Sequence, residues 1–388
     1  MSPAPATASS CAAQLIQAAG DRHMWAQTFE REAQDMLALQ GDIALAIARA
    51  IHLQIRPDEE QRLARWRAVD HDAYDAHLRG RFEWNRRTPE GMLKAIAFFE
   101  QAIAKDSKYA PAYSGLSDSY RFLDLQGLAA PAQAMPKAAT AAKQALALDD
   151  SLGEAHASLA GVLYRYEWQW DAAEREFRRS LELEPNYAEG RRGYGVYLNV
   201  MRRFNEGVEQ LRRARDLNPL SQAFNVEFVS ALYRAGRNAE AAAEAARVRG
   251  MFPGVRRRLD LEVAYVYMQQ GRWADAIAAL ENETPGAPPN AWLGYCYAKV
   301  GRASDARATL AGLHEAAKTR YVPLQTFAIV HLGLGERAEA FTWLEKGYEQ
   351  RAFDLGAVTI GLFDLLREDP DFRDLLRRMG LARYKEFN

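Results

Sequence analysis

The densest gathering of ligating side chains in this 388-residue chain is Asp70, His71, Asp72, Asp75 and His77. On a helix His71 and Asp75 share a face while His77 points elsewhere, too few convergent donors for a zinc centre. The stretch reads as a solvated helix with local ion pairs, and no metal site is expected. Cys11 and Cys296 are far apart and lack a C-x-x-C spacing, which excludes a disulfide framework and a cysteine zinc site. Cys296 lies mid-helix between Tyr295 and Tyr297, the setting of a packed thiol. Gly190, Gly193 and Gly195 are spaced like a phosphate loop, but no strand precedes them, so close helix packing is their expected use. No P-loop and no paired H-R-D and D-F-G kinase signature is present. The expectation is a non-enzyme with no catalytic residue and no cofactor.

Charge narrows the partners. Lys and Arg number 50 against 51 for Asp and Glu, a formal charge of -1, so no overall field draws nucleic acid or an anionic membrane. With 48% hydrophobic residues the chain can bury a sizeable core, yet no run of about 18 apolar residues spans a bilayer. No Lys or Arg precedes Arg22 and no apolar core of signal-peptide length follows the first residue, so a cytoplasmic location is expected.

What would position a binding residue is a repeat. Ala95, Ala138, Ala173, Gly207, Ala241, Ala276, Ala306 and Ala340 mark one small position, at separations of 43, 35, 34, 34, 35, 30 and 34 residues. Four residues later, on the same helical face, stand Phe99, Ala142, Phe177, Leu211, Ala245, Leu280, Leu310 and Leu344. A preceding helix supplies large residues at i and i+4, as in Leu116 with Tyr120, Leu159 with Leu163, Tyr194 with Leu198 and Phe228 with Leu232. The long first step holds about nine extra residues in GLAAPAQAMP, predicting a projecting loop. The short step, with ENETPGAPPN between helices, predicts a hinge at 281–290.

Leu293, Gly294 and Tyr297, followed by Gly301, Ala306 and Leu310, resemble the tetratricopeptide-repeat (TPR) pattern, as do Ala173, Phe177, Leu181 and Pro185. The resemblance implies an all-α superhelical solenoid of about eight helix pairs with helical caps. Residues 74–350 form the array, 351–388 a carboxy-terminal helical cap in which 362–380 are an amphipathic pair split at Pro370 and stopped at Gly380, and 35–55 an amphipathic helix able to cover the first pair. The aromatic group Tyr164, Tyr166, Trp168 and Trp170 reads as packing between helices, at a one-residue insertion. In TPR proteins the inward surface comes from the first helices, and that register selects Arg121 with Phe122, Tyr164 with Arg165, Arg192 with Asn199, Tyr233 with Arg234, Tyr265 with Met268, and Tyr295 with Lys299. Asp118, Glu154 and Glu189 are the acidic exceptions on this Tyr- and Arg-rich face. Such a face suits a protein or extended peptide carrying carboxylates, with no nucleic acid and no membrane as partner.

Residues 14–47 are similar to the closing part of the TolB-like domain that precedes TPR arrays in bacterial winged-helix activators, class III adenylate cyclases and serine/threonine kinases. The matching features are Leu15-Ile16, the Gly20-Asp21-Arg22-His23 turn, Trp25-Ala26 and the stretch from Phe29-Glu30-Arg31 to Leu39-Gln40. Leu78-Arg79-Gly80, Trp84-Asn85-Arg86 and Thr88-Pro89-Glu90 are typical of the first repeat in that group. The likeness implies a scaffold in bacterial signalling or transcription regulation. The alternatives are the regulatory module of a separately encoded cyclase or kinase, and a small-ligand sensor. On this reading residues 1–20 are poorly ordered, and 21–73 combine a TolB-like remnant, holding one or two orphan strands, with capping helices.

Overall fold

The computed structural model describes residues 8–17, 22–32, 42–43, 46–48, 50, 70–252, 254, 256–281, 289–352, 363 and 366–384. Two strands, β1 (Ala8–Gln17) and β2 (Arg22–Glu32), pair antiparallel from Ala8 opposite Glu32 to Gln17 opposite Arg22, with an irregularity between Leu15 and Ile16. Much of the segment expected to lack order is therefore a strand, because it has a partner to satisfy its backbone groups. The helix expected over 35–55 lies outside the described residues except at 42–43, 46–48 and 50, which are helical.

From residue 70 onward the fold is helical pairs. The first four pairs are α1 (His71–Asn85) with α2 (Pro89–Lys105), α3 (Ala110–Arg121) with α4 (Pro131–Leu148), α5 (Gly153–Val162) with α6 (Trp170–Leu183), and α7 (Ala188–Val200) with α8 (Phe204–Leu217). The next four are α9 (Gln222–Arg234) with α10 (Asn238–Met251), α11 (Arg256–Gln269) with α12 (Trp273–Leu280), α13 (Ala291–Lys299) with α14 (Ala303–Ala316), and α15 (Gln325–Leu334) with α16 (Arg337–Glu349). A final helix, α17 (Pro370–Arg378), starts at the Asp369 cap and stops at Gly380, whose φ is 75°. Local chemistry sets the boundaries. In α2, Thr88 accepts the Gly91 amide at 3.0 Å and Pro89 occupies the first turn, where its missing N–H costs nothing.

Every one of the eight small residues that set the repeat is buried in a second helix; the seven alanines have 0% exposure. They let the two helices of a pair approach closely, and glycines of the first helices let these pack closely on the second helix of the preceding pair and on that of their own. A Cβ on Gly193 would come 2.9 Å from the Phe177 ring, and one on Gly195 2.7 Å from Leu211. First helices of neighbouring pairs pack on one another more extensively than neighbouring second helices do, although Arg215 of α8 reaches Glu244 of α10 at 3.0 Å. An inner layer packed more tightly than the outer one curves the array and makes the first-helix face concave.

Each pair turns on a residue in the left-handed region. In pairs five to eight it is Gly236, Gly271, Gly301 and Gly335; in pair two it is Gly127. Pairs one, three and four place Arg87, Trp168 and Arg202 there, at φ of 55°, 57° and 61°. A side chain in that conformation costs roughly 1–2 kcal/mol. The one-residue insertion in pair three is absorbed as a π turn, Leu163–Glu167, just before Trp168.

The two irregular steps have different outcomes. The stretch expected to project, 127–136, does not: 131–136 open α4, and the turn 122–130 packs down, with Leu123 and Asp124 buried and the Gly127 carbonyl accepting the Tyr321 amide at 3.1 Å. The short step is taken out of α12, which has eight residues. Most of the expected hinge, 282–288, lies outside the described residues.

The array does not end in space. Trp170 Nε1 donates to the Met379 carbonyl at 2.8 Å, Arg351 donates to the carbonyls of Tyr166 and Glu167 at 3.0 Å, and the Trp168 and Tyr348 rings lie 5.3 Å apart. The Tyr384 hydroxyl donates to Asp171. The carboxy-terminal helices therefore dock on pair three, and one apolar cluster runs from Ala157 to Leu381.

Candidate functional site

Five arginines from the first four pairs converge in the concave groove, drawn together by carboxylates on neighbouring first helices. On α3, Asp118 Oδ1 accepts from Arg121 Nη2 at 2.8 Å and from Ser158 Oγ of α5 at 2.9 Å, while its Oδ2 lies 3.5 Å from Arg81 Nη1 of α1. On α7, Glu189 pairs with Arg87 from the turn of pair one and accepts from Arg192 Nε at 2.6 Å. Arg192 Nη1 also reaches both oxygens of Glu227 on α9 at 3.1 Å. Arg165 Nη1 donates to the Arg121 carbonyl at 2.7 Å and Nη2 to Asp124 at 2.9 Å. The network crosses three turns of chain, since Arg87 and Glu189 are 102 residues apart.

Two aromatic rings form its floor. Arg87 and Arg81 lie 3.5 and 4.6 Å from the centre of the Trp84 ring. Phe122 has the guanidinium carbons of Arg87, Arg121, Arg165 and Arg192 at 4.9, 5.0, 5.8 and 5.5 Å. Guanidiniums lie flat on such faces because they are planar and weakly hydrated. Arg121 lies across α5 at Gly161, where an added Cβ would meet its Cζ at 2.6 Å.

Electrostatics divide the carboxylates. Burial alone would raise Glu189, but Arg192, Arg87 and Arg81 hold it down to about 2, so it stays charged. Burial dominates for Glu154 on α5 and, with Glu184 and Asp118 adding to it against Arg81, raises it to about 8. Near neutrality Glu154 therefore carries a proton.

Of the residues selected from the sequence, the fold brings Arg121, Arg165 and Arg192 together. Tyr164 and Tyr233 belong to the helix packing: Tyr164 lies 6.0 Å from the Phe177 ring and 5.7 Å from Tyr197, and Tyr233 is buried in the pair-five core. Asn199 is buried against Gly207 of its own pair, where no Cβ would fit. Tyr295 has 1% exposure, faces Trp273 at 6.0 Å, and burial pushes its phenol up to about 12. Arg234 is half-buried, Tyr265 meets Trp292 edge-on at 6.0 Å, and exposed Lys299 sits 5.2 Å over the Tyr295 ring. These three lie further along the array and do not join the network.

Arg81, Arg87, Trp84 and Glu227 are the groove residues the sequence reading missed. Carrying the register back into pair one selects Trp84 and Arg87. Arg81 and Glu227 stand one place beyond the usual inward positions, and only their length brings them in.

The remaining sequence motifs are structural. His77 is buried between Phe99 and Tyr109, at 5.5 and 5.3 Å, and burial with Arg81 nearby lowers it to about 3. The Cys296 thiol is buried, which pushes it up to about 12. Among the described residues no group of three or more His, Cys, Asp or Glu side chains could hold a metal ion. None of their helices is long and apolar enough to cross a membrane.

No protein-family model matches the chain. A stretch of 105 residues is 28% identical to "Putative adenylate cyclase 3" of Rhizobium meliloti (strain 1021), covering 27% of this chain and only 18% of that protein. Among solved structures the chain is similar to pilF of Pseudomonas aeruginosa, with 20% identity, a TM-score of 0.39 and coverage of 57% of this chain and 95% of that one. It is also similar to yeast Tom70, with 15% identity, a TM-score of 0.44 and coverage of 80% and 69%. The eight in-phase pairs, their buried small residues and the left-handed residue in each turn make the chain TPR-like.

Proposed function

We propose that this chain is a protein-interaction scaffold whose concave groove receives an extended segment of a partner protein, in bacterial signalling or transcription regulation. The observation that carries this reading is the placement of five guanidiniums over Trp84 and Phe122. Packing alone calls for apolar side chains at the inner layer. Drawing charges out of water costs several kcal/mol per ion, and pairing them here only repays that cost. Arg and aromatic residues are the side chains that dominate protein recognition energetics. Arg87 supports the same reading, since it occupies a turn position where glycine would cost less. The acidic guest suggested by composition is narrowed, because most of the arginines already have carboxylate partners.

The test is site-specific photo-crosslinking in the source cell. A benzophenone side chain is placed at Arg234, half-buried at an inward position of the repeat register on α9, or at Arg212, exposed on the outer helix α8. A discrete adduct from position 234 and none from 212 supports the groove. Equal labelling from both, or from neither, removes it.

The stretch similar to an adenylate cyclase favours a second reading, a regulatory module acting on a cyclase domain in another chain. An adjacent reading frame encoding such a domain, with activity altered on mixing, would select it over the general scaffold.

A further inference from the structure

One corner of the groove is less complete than the rest: Arg121 Nε and Asp124 Oδ1 are also buried without a partner, but both of those side chains bond elsewhere in the network. Asp118, Glu189 and Glu227 are each held by arginine, and Arg165 holds Asp124. Among the described residues Arg81 makes only the long 3.5 Å approach to Asp118, and its buried Nη1 has no hydrogen-bond partner. Its side chain is 20% exposed, so water or a guest reaches the guanidinium from one side. The groups whose charge would act most strongly on it are the Tyr187 phenol and Glu154, followed by Asp118 and Glu189. The first two are half-buried, and neither the Tyr187 hydroxyl nor the Glu154 carboxyl hydrogen-bonds to any described residue.

Three side chains from α1, the start of α5 and the cap of α7 thus meet with their polar ends uncommitted. Resting on the peptide-groove reading, we propose that Arg81, Tyr187 and Glu154 form a seat for one carboxylate of the guest, whether an Asp or Glu side chain or the chain terminus. All three present donors to it: the guanidinium N–H groups, the phenol O–H and the protonated carboxyl O–H. Burial, which keeps Glu154 protonated near neutrality, supplies the last of these. It also leaves five guanidiniums facing four committed carboxylates, Asp118, Asp124, Glu189 and Glu227. The deficit of one negative charge matches a single carboxylate, and the neighbouring Asp118 and Glu189 disfavour a dianion.

Fluorescein-labelled dodecapeptide pools test this. The degenerate positions exclude Asp and Glu, one fixed position is Asp or Asn, and the terminus is amide or free acid. Full-length protein is titrated into each pool and read by anisotropy. At least one carboxylate pool should bind about tenfold more tightly than the Asn-amide pool, as expected for one charge-assisted hydrogen-bonded group. The tighter of the two distinguishes a side chain from a terminus. Arg81→Gln should erase the preference, and Tyr187→Phe, which removes one oxygen and leaves the ring packing, should shrink it. Arg234→Ala should weaken all pools alike and leave the preference intact. Equal binding of all pools by the wild type overturns the seat while leaving the groove reading standing. A preference undiminished in Tyr187→Phe, or kept by a folded Arg81→Gln, overturns the seat as well. No binding of any pool removes the groove reading and the seat together.

Discussion

Replacing Glu189 by Gln keeps the shape of the network and removes the one charge that spans it. Its carboxyl lies at about 2 against an ordinary value of 4.5, and that gap corresponds to about 3 kcal/mol of stability carried by the charged form. Breaking a buried ion pair by deleting one partner costs about 3–5 kcal/mol, so two independent routes give the same size. The loss falls unequally on the two arginines. Arg192 retains Glu227, whereas Arg87 has no other carboxylate bonded to it among the described residues. Removing the stranded charge with Arg87→Met in the Glu189→Gln background should therefore recover part of the loss, and the double-mutant cycle should return a coupling above about 1 kcal/mol. Because the folded-state value is depressed, the stabilisation is complete above the unfolded value and disappears as pH falls through about 2. Urea unfolding followed by circular dichroism should show the full penalty at pH 7 and a shrinking one in acid. A penalty below about 1 kcal/mol at pH 7, or one unchanged in acid, would refute the argument.

Gly161→Ala should destabilise the protein by about 1–3 kcal/mol by calorimetry despite alanine's better helix propensity, because the new methyl displaces the Arg121 guanidinium from α5. Glu154→Gln should raise the melting temperature at pH 9 and leave it unchanged at pH 5. Burial with Glu184 and Asp118 nearby, opposed by Arg81, raises this acid to about 8, so wild-type stability declines as pH climbs from 4.5 through that value. Trp170→Phe should cost about 1–2 kcal/mol by stranding the Met379 carbonyl, seen as faster amide exchange in α17 with α2 unaffected.

The repeat was legible because its signal is a spacing, and the eight small residues mark eight second helices by the same constraint that buries them. The groove was legible only in part. Arg121, Arg165 and Arg192 were selected because a register predicts direction, but Tyr164, Asn199, Tyr233 and Tyr295 turned into the core. A residue at the rim between inner face and pair interface goes where packing finds room, and that depends on the opposing helix. The carboxylates Asp118, Glu154 and Glu189 were noticed as exceptions to a basic face; their role as partners depends on which first helices adjoin. The loop expected over 127–136 failed in the same way, since the extra length was readable and the contact of Gly127 with Tyr321 was not.

The docking of the last helices on pair three changes how the molecule comes apart. In a linear array each unit is a nearest-neighbour link, and unfolding proceeds as fraying from whichever end is weaker. Trp170 and Met379 are 209 residues apart, and closing a loop of that length costs on the order of 5 kcal/mol of chain entropy. Contacts of such long range form late and raise the contact order, so folding should be slower than for an open array of equal size. Once they are made, α16 and α17 cannot peel away without exposing Trp168 and Trp170. The carboxy-terminal pairs are thereby coupled into one cooperative block reaching back to pair three.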